Sequence, residues 1–123
     1  MGDFSELKVW QRSKDLAIFI YRITHEGLFS KDFGLKDQIR RAAVSIPSNI
    51  AEGDELKTNK QSVQYFFMAK GSLAELMTQA LISFEIGYIN HDDFQHIKNE
   101  HKIISSMLTK LIQARSIRKD LTP

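Results

Sequence analysis

Apolar residues recur at three- and four-residue intervals through most of the chain, in four separate stretches. Such spacing marks the buried stripe of an amphipathic helix. The first predicted helix runs from about Val9 to Glu26, with Trp10, Ala17, Ile20, Tyr21 and Thr24 in line, Leu16, Phe19 and Ile23 beside them, and Gly27 as a left-handed stop. The second runs from about Leu35 to Glu52 through Ile39, Ala42, Ala43, Ile46 and Ile50, and ends at Gly53. Thr58 opens the third with Gln61 three residues on, the form of a capping box. That helix continues through Val63, Phe66, Phe67, Leu73, Met77, Leu81 and Phe84 to Gly87. Asn90 caps the fourth, with Asp92 and Asp93 in its first turn, where the helix dipole favours negative charge. Its line is Phe94, Ile97, His101, Ile104, Leu108 and Leu111, and the tail is expected to fray from Arg115.

Four helices with short connections and no strand pattern predict an all-α, antiparallel up-and-down four-helix bundle, a single domain over residues 1–123. Two helices carry more apolar surface than such a bundle needs. Tyr65, Ala69, Ser72, Leu76, Ala80 and Ser83 make a second line in the third helix, and Ile103, Met107 and Ile112 do so in the fourth. A bundle helix buries a stripe of about 100°, so faces this wide predict self-association.

Pro47 interrupts the second helix, at a cost of roughly 3 kcal/mol. The apolar line keeps its phase across it, which predicts one helix kinked at Pro47. On another face Gln38, Arg41, Ser45, Ser48, Asn49 and Glu52 form a polar stripe with small side chains in its middle, and Gly71 with Ser72 offers a low wall in the third helix. The expectation is that stripe and wall pack together, within one chain or between two, with Arg40 or Arg41 reaching Glu75. A solvated face has no need of Pro47 or Gly71, both of which weaken a helix.

Composition narrows the function classes. A hydrophobic content of 42% supports a core without disulfides or metal, and the absence of cysteine excludes thiolate sites and thiol nucleophiles. No signal-peptide pattern opens the chain and no apolar run is long enough for a membrane span, so a soluble, cytoplasmic protein with no membrane partner is expected. Seventeen basic against fifteen acidic residues leave a net charge of +2, too little to carry a nucleic-acid assignment alone. Candidate nucleic-acid contacts are Lys8, Arg12, Lys14 and Arg22 on the first helix and Lys110, Arg115, Arg118 and Lys119 near the C-terminus. Their other reading is solubilising charge. The aromatics do not interleave with them in a stacking pattern.

Enzyme chemistry finds little support. A di-metal bundle needs paired Glu-x-x-His motifs, whereas this chain has only Asp93-Phe94-Gln95-His96. His101 sits on an apolar line, as a core or interface histidine would, and Gly71-Ser72 lies mid-helix, unlike a phosphate loop. No cofactor, metal or small-molecule substrate is indicated.

Several segments together carry a family likeness. They are Leu7-Lys8-Val9-Trp10-Gln11, Gly34-Leu35 with Gln38-Ile39-Arg40-Arg41-Ala42-Ala43, the nine residues Ser45 to Gly53, Ala69 to Leu76, and Leu81 through Gly87-Tyr88-Ile89. In order and spacing the chain resembles the bacterial four-helix-bundle family named for proteins encoded in intervening sequences of 23S ribosomal RNA genes, a family that includes the accessory variability proteins of diversity-generating retroelements. The loop Leu28 to Phe33 departs from it by lacking a Phe-Pro pair. The resemblance implies a homo-oligomer, a ring-like pentamer, without catalytic activity, with nucleic-acid binding proposed for some members. Arg41, Ser45, Pro47, Ser48, Asn49, Glu52, Gly71, Ser72 and Glu75 then stand as fold and assembly determinants. The expected function is a non-enzymatic assembly module, binding RNA, DNA or a nucleic-acid-processing partner through repeated basic surface; the alternative is a protein-interaction scaffold.

Overall fold

Local signals at the helix ends fix where the chain turns. In the computed structural model, which describes the backbone of residues 3–56 and 58–121 and side chains up to Ser116, four helices follow one another. They are α1 (Lys8–Ile23), α2 (Phe33–Glu55), α3 (Asn59–Glu85) and α4 (His91–Leu121), with 3-10 turns at Phe4–Glu6 and Gly27–Lys31 and no strand among the described residues. Thr58 accepts from the Gln61 amide at 3.2 Å and Asn90 accepts from that of Asp93 at 2.7 Å, so both predicted caps form. At the end of α3, Gly87 takes φ +86° while the Tyr88 amide reaches Ser83 and the Gly87 amide reaches Phe84. This is a Schellman turn, which satisfies carbonyls that the helix leaves free.

Four boundaries differ from the sequence expectation. Helix α1 stops at Ile23 with Thr24 as its C-cap, the Thr24 hydroxyl donating to the Ile20 carbonyl, and left-handed Gly27 opens the following 3-10 turn instead of ending the helix. Helix α2 begins early, at Phe33, where the Asp32 carboxylate accepts from the Leu35 amide at 3.1 Å. The other Asp32 oxygen accepts from the Tyr88 hydroxyl at 2.9 Å, tying the α1–α2 loop to the α3–α4 loop and raising the phenol's pKa. The same helix runs past Gly53 to Glu55 and through Pro47 without a break. Helix α4 continues beyond Arg115 to Leu121, where the sequence predicts fraying.

Pairing across the bundle gives its topology. Each helix packs on its sequence neighbours, and α4 closes against α1. Ser45 meets Ser72 while Gly53 lies against Ser62 and Phe66, so α2 and α3 are antiparallel. Lys70 with Thr109 and Phe84 with Phe94 give the same sense for α3 and α4. Ile20, Ile39, Ile46, Ile50, Leu73, Leu76, Ile97, Ile104 and Leu108 form a core that water scarcely reaches. The whole apolar line of α2 lies in it.

Helix α3 buries Phe66 and Leu73 of its predicted line, with Met77 and Phe84 packed beside the core, but turns Phe67 and Leu81 outward. Ala69, Ser72, Leu76, Ala80 and Ser83, the second line, are buried, whereas Phe67 is 57% exposed and Leu81 43%. Small side chains let α3 lie close to α2 and α4, where Phe67 and Leu81 would hold it off. Buried hydroxyls are satisfied: Ser13 donates to the Val9 carbonyl and Ser83 to that of Gln79 within their own helices, and Ser62 of α3 to that of Gly53 in α2. Such bonds remove the cost of burying a polar group. Tyr21, placed in the α1 stripe by its spacing, is exposed.

Candidate interaction surfaces

The polar stripe of α2 divides into an inner and an outer part. Ser45 and Ser72 meet at 2.8 Å between their hydroxyl oxygens, and the Asn49 amide group donates to the Ser45 hydroxyl at 3.0 Å and to its carbonyl at 2.9 Å. This short polar chain joins α2 to α3 within one molecule. Arg41, Ser48, Glu52 and Glu75 are exposed, and Pro47 is buried, facing α1. Neither arginine reaches Glu75. Arg41 pairs with Asp37 one turn back at 2.9 Å, whereas Arg40 donates to the Thr24 hydroxyl at 2.8 Å and stacks on the Tyr21 ring, 4.4 Å from its centroid. Both guanidinium groups are held along or across α1 and α2, and neither touches α3 of the same chain.

Gly71 does not serve as a low wall for α2 of the same chain. A Cβ added there meets nothing within 4 Å, because the residue lies on the outward face of α3. Alanine at this position therefore gains helix propensity without a steric penalty, and Gly71→Ala is expected to raise unfolding stability by about 0.5–1 kcal/mol. Urea denaturation at protein concentrations too low for assembly measures it, and a loss of stability there would show that this face is packed in the isolated chain.

Among the described residues, two apolar surfaces built from several exposed side chains stand out on the single chain. One is a groove of about 840 Å³ between α1 and α2, lined by Ala17, Ile18, Tyr21, Val44 and Pro47 and edged by Lys14, Arg22, His25, Glu26 and Arg40. The other is the outer ridge of α3, where Phe67, Leu81 and Ile82 project beside Gly71, Ala74 and Thr78. Exposed apolar patches beyond a few hundred Å² mark interaction sites on soluble proteins. The groove is not legible in the sequence, since Ile18 and Val44 fall outside the apolar lines of their own helices and acquire meaning only when α1 lies beside α2.

The candidate basic contacts do not form one patch. Arg12 makes a two-pronged ion pair with Glu100 at 2.9 and 3.1 Å, which holds its proton more firmly. Arg115 pairs with buried Asp54 at 2.9 Å and lies over the Phe66 ring. Lys14 pairs with Asp15 and, with Arg22, lines the α1–α2 groove. Lys8 and Lys110 are exposed, and the side chains of Arg118 and Lys119 lie outside the described residues.

Among the described residues no three metal-binding side chains come together. Asp93 sits in the first turn of α4, and the His96 ring packs on Phe19 at 4.5 Å between centroids. His101 is half-buried, and desolvation lowers its pKa below the ordinary 6.5. The unfolded chain therefore takes up that proton first, so stability holds above about pH 6.5 and falls as the pH drops through the folded value. The urea midpoint is expected to be lower at pH 5 than at pH 7.5 by less in His101→Gln than in the parent chain; equal drops in both would refute the assignment.

The arrangement defines a class: an all-α four-helix bundle with unpartnered apolar faces and no assembled catalytic group among its described residues. The chain belongs to the 23S rRNA-intervening sequence protein family, whose model matches residues 5–110. A solved structure of a protein with unknown function from the S23 ribosomal protein family of Bacteroides thetaiotaomicron is similar in fold, with a TM-score of 0.78 at 22% identity, covering 85% of this chain and 97% of that one. No functionally curated protein matches the chain. Neither description names a reaction. No helix among the described residues is long and apolar enough to cross a membrane.

Proposed function

We propose that this chain is a non-enzymatic, cytoplasmic, self-assembling module, a ring of five copies, that presents repeated basic surface to RNA, DNA or a nucleic-acid-processing partner. The observation that carries the assembly is the outer ridge of α3, whose Phe67, Leu81 and Ile82 face water in the single chain. The nucleic-acid component is supported by Lys8 and Lys110, which are exposed and free of ion pairs among the described residues. Weak phosphate contacts repeated around a ring reinforce one another through effective concentration.

Light scattering at micromolar protein is expected to give a mass several times that of one chain, and a monomer would end the assembly reading. Titration with structured RNA at low and moderate salt is expected to show affinity that falls with salt. Lys8→Ala and Lys110→Ala should each flatten that slope, by about one unit for every phosphate that the lysine neutralises in the parent. An assembly that binds no RNA under either condition would instead be a protein-interaction scaffold, its charge serving only solubility.

A further inference from the structure

We infer that the α1–α2 groove of one copy receives the α3 ridge of the next, so that assembly proceeds by a head-to-tail contact between two different surfaces. This rests on the self-assembly proposed above and assigns the faces that carry it.

The two surfaces are complementary in shape. A groove between helices is concave and the outer side of a single helix is convex, so the ridge fits the groove better than it fits another ridge. The ridge is long enough to run the full groove: Phe67 to Ile82 spans roughly 22 Å of helix and the α1 rim from Lys14 to Arg22 roughly 12 Å, at about 1.5 Å per residue. Both are apolar in the middle: Ile18, Tyr21, Val44 and Pro47 on one side, Phe67, Leu81 and Ile82 on the other. Gly71, open on its outer side, leaves a notch in the ridge for a side chain of the groove.

Charge agrees with shape. The groove edge carries Lys14, Arg22 and Arg40 against a single acid, Glu26, whereas Glu75 and Glu85 are exposed beside the ridge. Arg40 is already held by the Thr24 hydroxyl and the Tyr21 ring, so its charge stands in place before a partner arrives. Complementary potentials of this kind favour one register and speed association. A contact between unlike faces of identical subunits leads to a ring or an open filament, whereas a like-on-like contact stops at two. Ridge-to-ridge pairing would leave the groove uncovered in both copies; ridge-in-groove pairing covers both apolar surfaces with one interface. Arg22 and Lys14 then lie inside the assembly, inaccessible to a nucleic acid.

Two surface variants test this, each confined to exposed positions and checked for native circular dichroism. The ridge variant combines Phe67→Asp with Ile82→Asp, and the groove variant combines Ile18→Asp with Val44→Asp. Each alone is expected to be monomeric by light scattering. Mixed one to one they should form a dimer and nothing larger, because the ridge of the groove variant is intact and so is the groove of the ridge variant. A groove variant that keeps the parent mass, or a mixture that stays monomeric, would overturn the head-to-tail contact while leaving self-assembly standing. A monomeric parent chain would instead remove the assembly reading on which it rests.

Discussion

Gly53→Ala is expected to lower the unfolding free energy by about 1–2 kcal/mol, the reverse of what the same substitution does in an open helix. A Cβ at this position would sit 2.7 Å from Cε1 and 3.0 Å from Cδ1 of Phe66, and 3.1 Å from the Ser62 carbonyl oxygen. Alanine in a helix interior gains about 0.5–1 kcal/mol over glycine. Overpacking a tight contact costs about 1–3 kcal/mol. The balance is set by whether the neighbours can give way. Phe66 is fully buried and carries the Arg115 guanidinium on its face, so its ring has no free direction in which to swing. The Ser62 oxygen is backbone, and the Ser62 hydroxyl donates to the Gly53 carbonyl at 2.6 Å, fixing α3 against α2 at the same point. Relief therefore requires the two helices to separate. Urea denaturation of Gly53→Ala beside Gly71→Ala reads the contrast: one chain is expected to lose stability and the other to gain it. A Gly53→Ala chain as stable as the parent would show that Phe66 yields.

The same glycine shows what a sequence conveys and what it withholds. Helix number, the Thr58 and Asn90 caps and the buried line of α2 depend on residues within a turn or two of one another, and all are legible in the chain. Gly53 reads as a stop because glycine follows the apolar line there; its actual role, admitting Phe66, belongs to a helix contact that no local spacing expresses. The face of α3 is ambiguous for a related reason. Apolar positions surround much of that helix, so periodicity alone gives no phase, and bulk is a poor guide when close approach selects alanine and serine. Within the candidate sites, the meeting of Ser45 with Ser72 follows from the stripe, whereas the partners of Arg40 and Arg41 do not. Long flexible cations reach several neighbours equally well on paper. Only the fold shows that Thr24 and Asp37 are nearer than Glu75.

Arg115→Ala is expected to cost about 3 kcal/mol, the larger effect, and to do so without weakening nucleic-acid binding beyond what unfolding explains. Asp54 lies 61 residues from Arg115 in the chain, and its side chain is 7% exposed against 17% for the arginine. The carboxylate sits in the last turn of α2, where the helix dipole disfavours negative charge, so it depends on the guanidinium at 2.9 Å. Removing one member of a buried pair costs about 3–5 kcal/mol, because the other charge stays out of water unpaired. The lower end applies here, since the site keeps some access to solvent. Asp54→Ala should cost less than Arg115→Ala, because a freed arginine can swing its long side chain into water and a carboxylate on a short stem cannot. Arg115→Lys should recover part of the loss, keeping the charge but not the planar stacking on Phe66. A double-mutant cycle of Asp54→Ala and Arg115→Ala isolates the pair, with a coupling of about 1 kcal/mol or more expected for charges in direct contact. A variant with an unchanged urea midpoint and a flattened RNA salt slope would return Arg115 to the nucleic-acid surface. Loss of stability with the slope unchanged would instead show its charge to be spent inside the bundle, locking α4 to the end of α2.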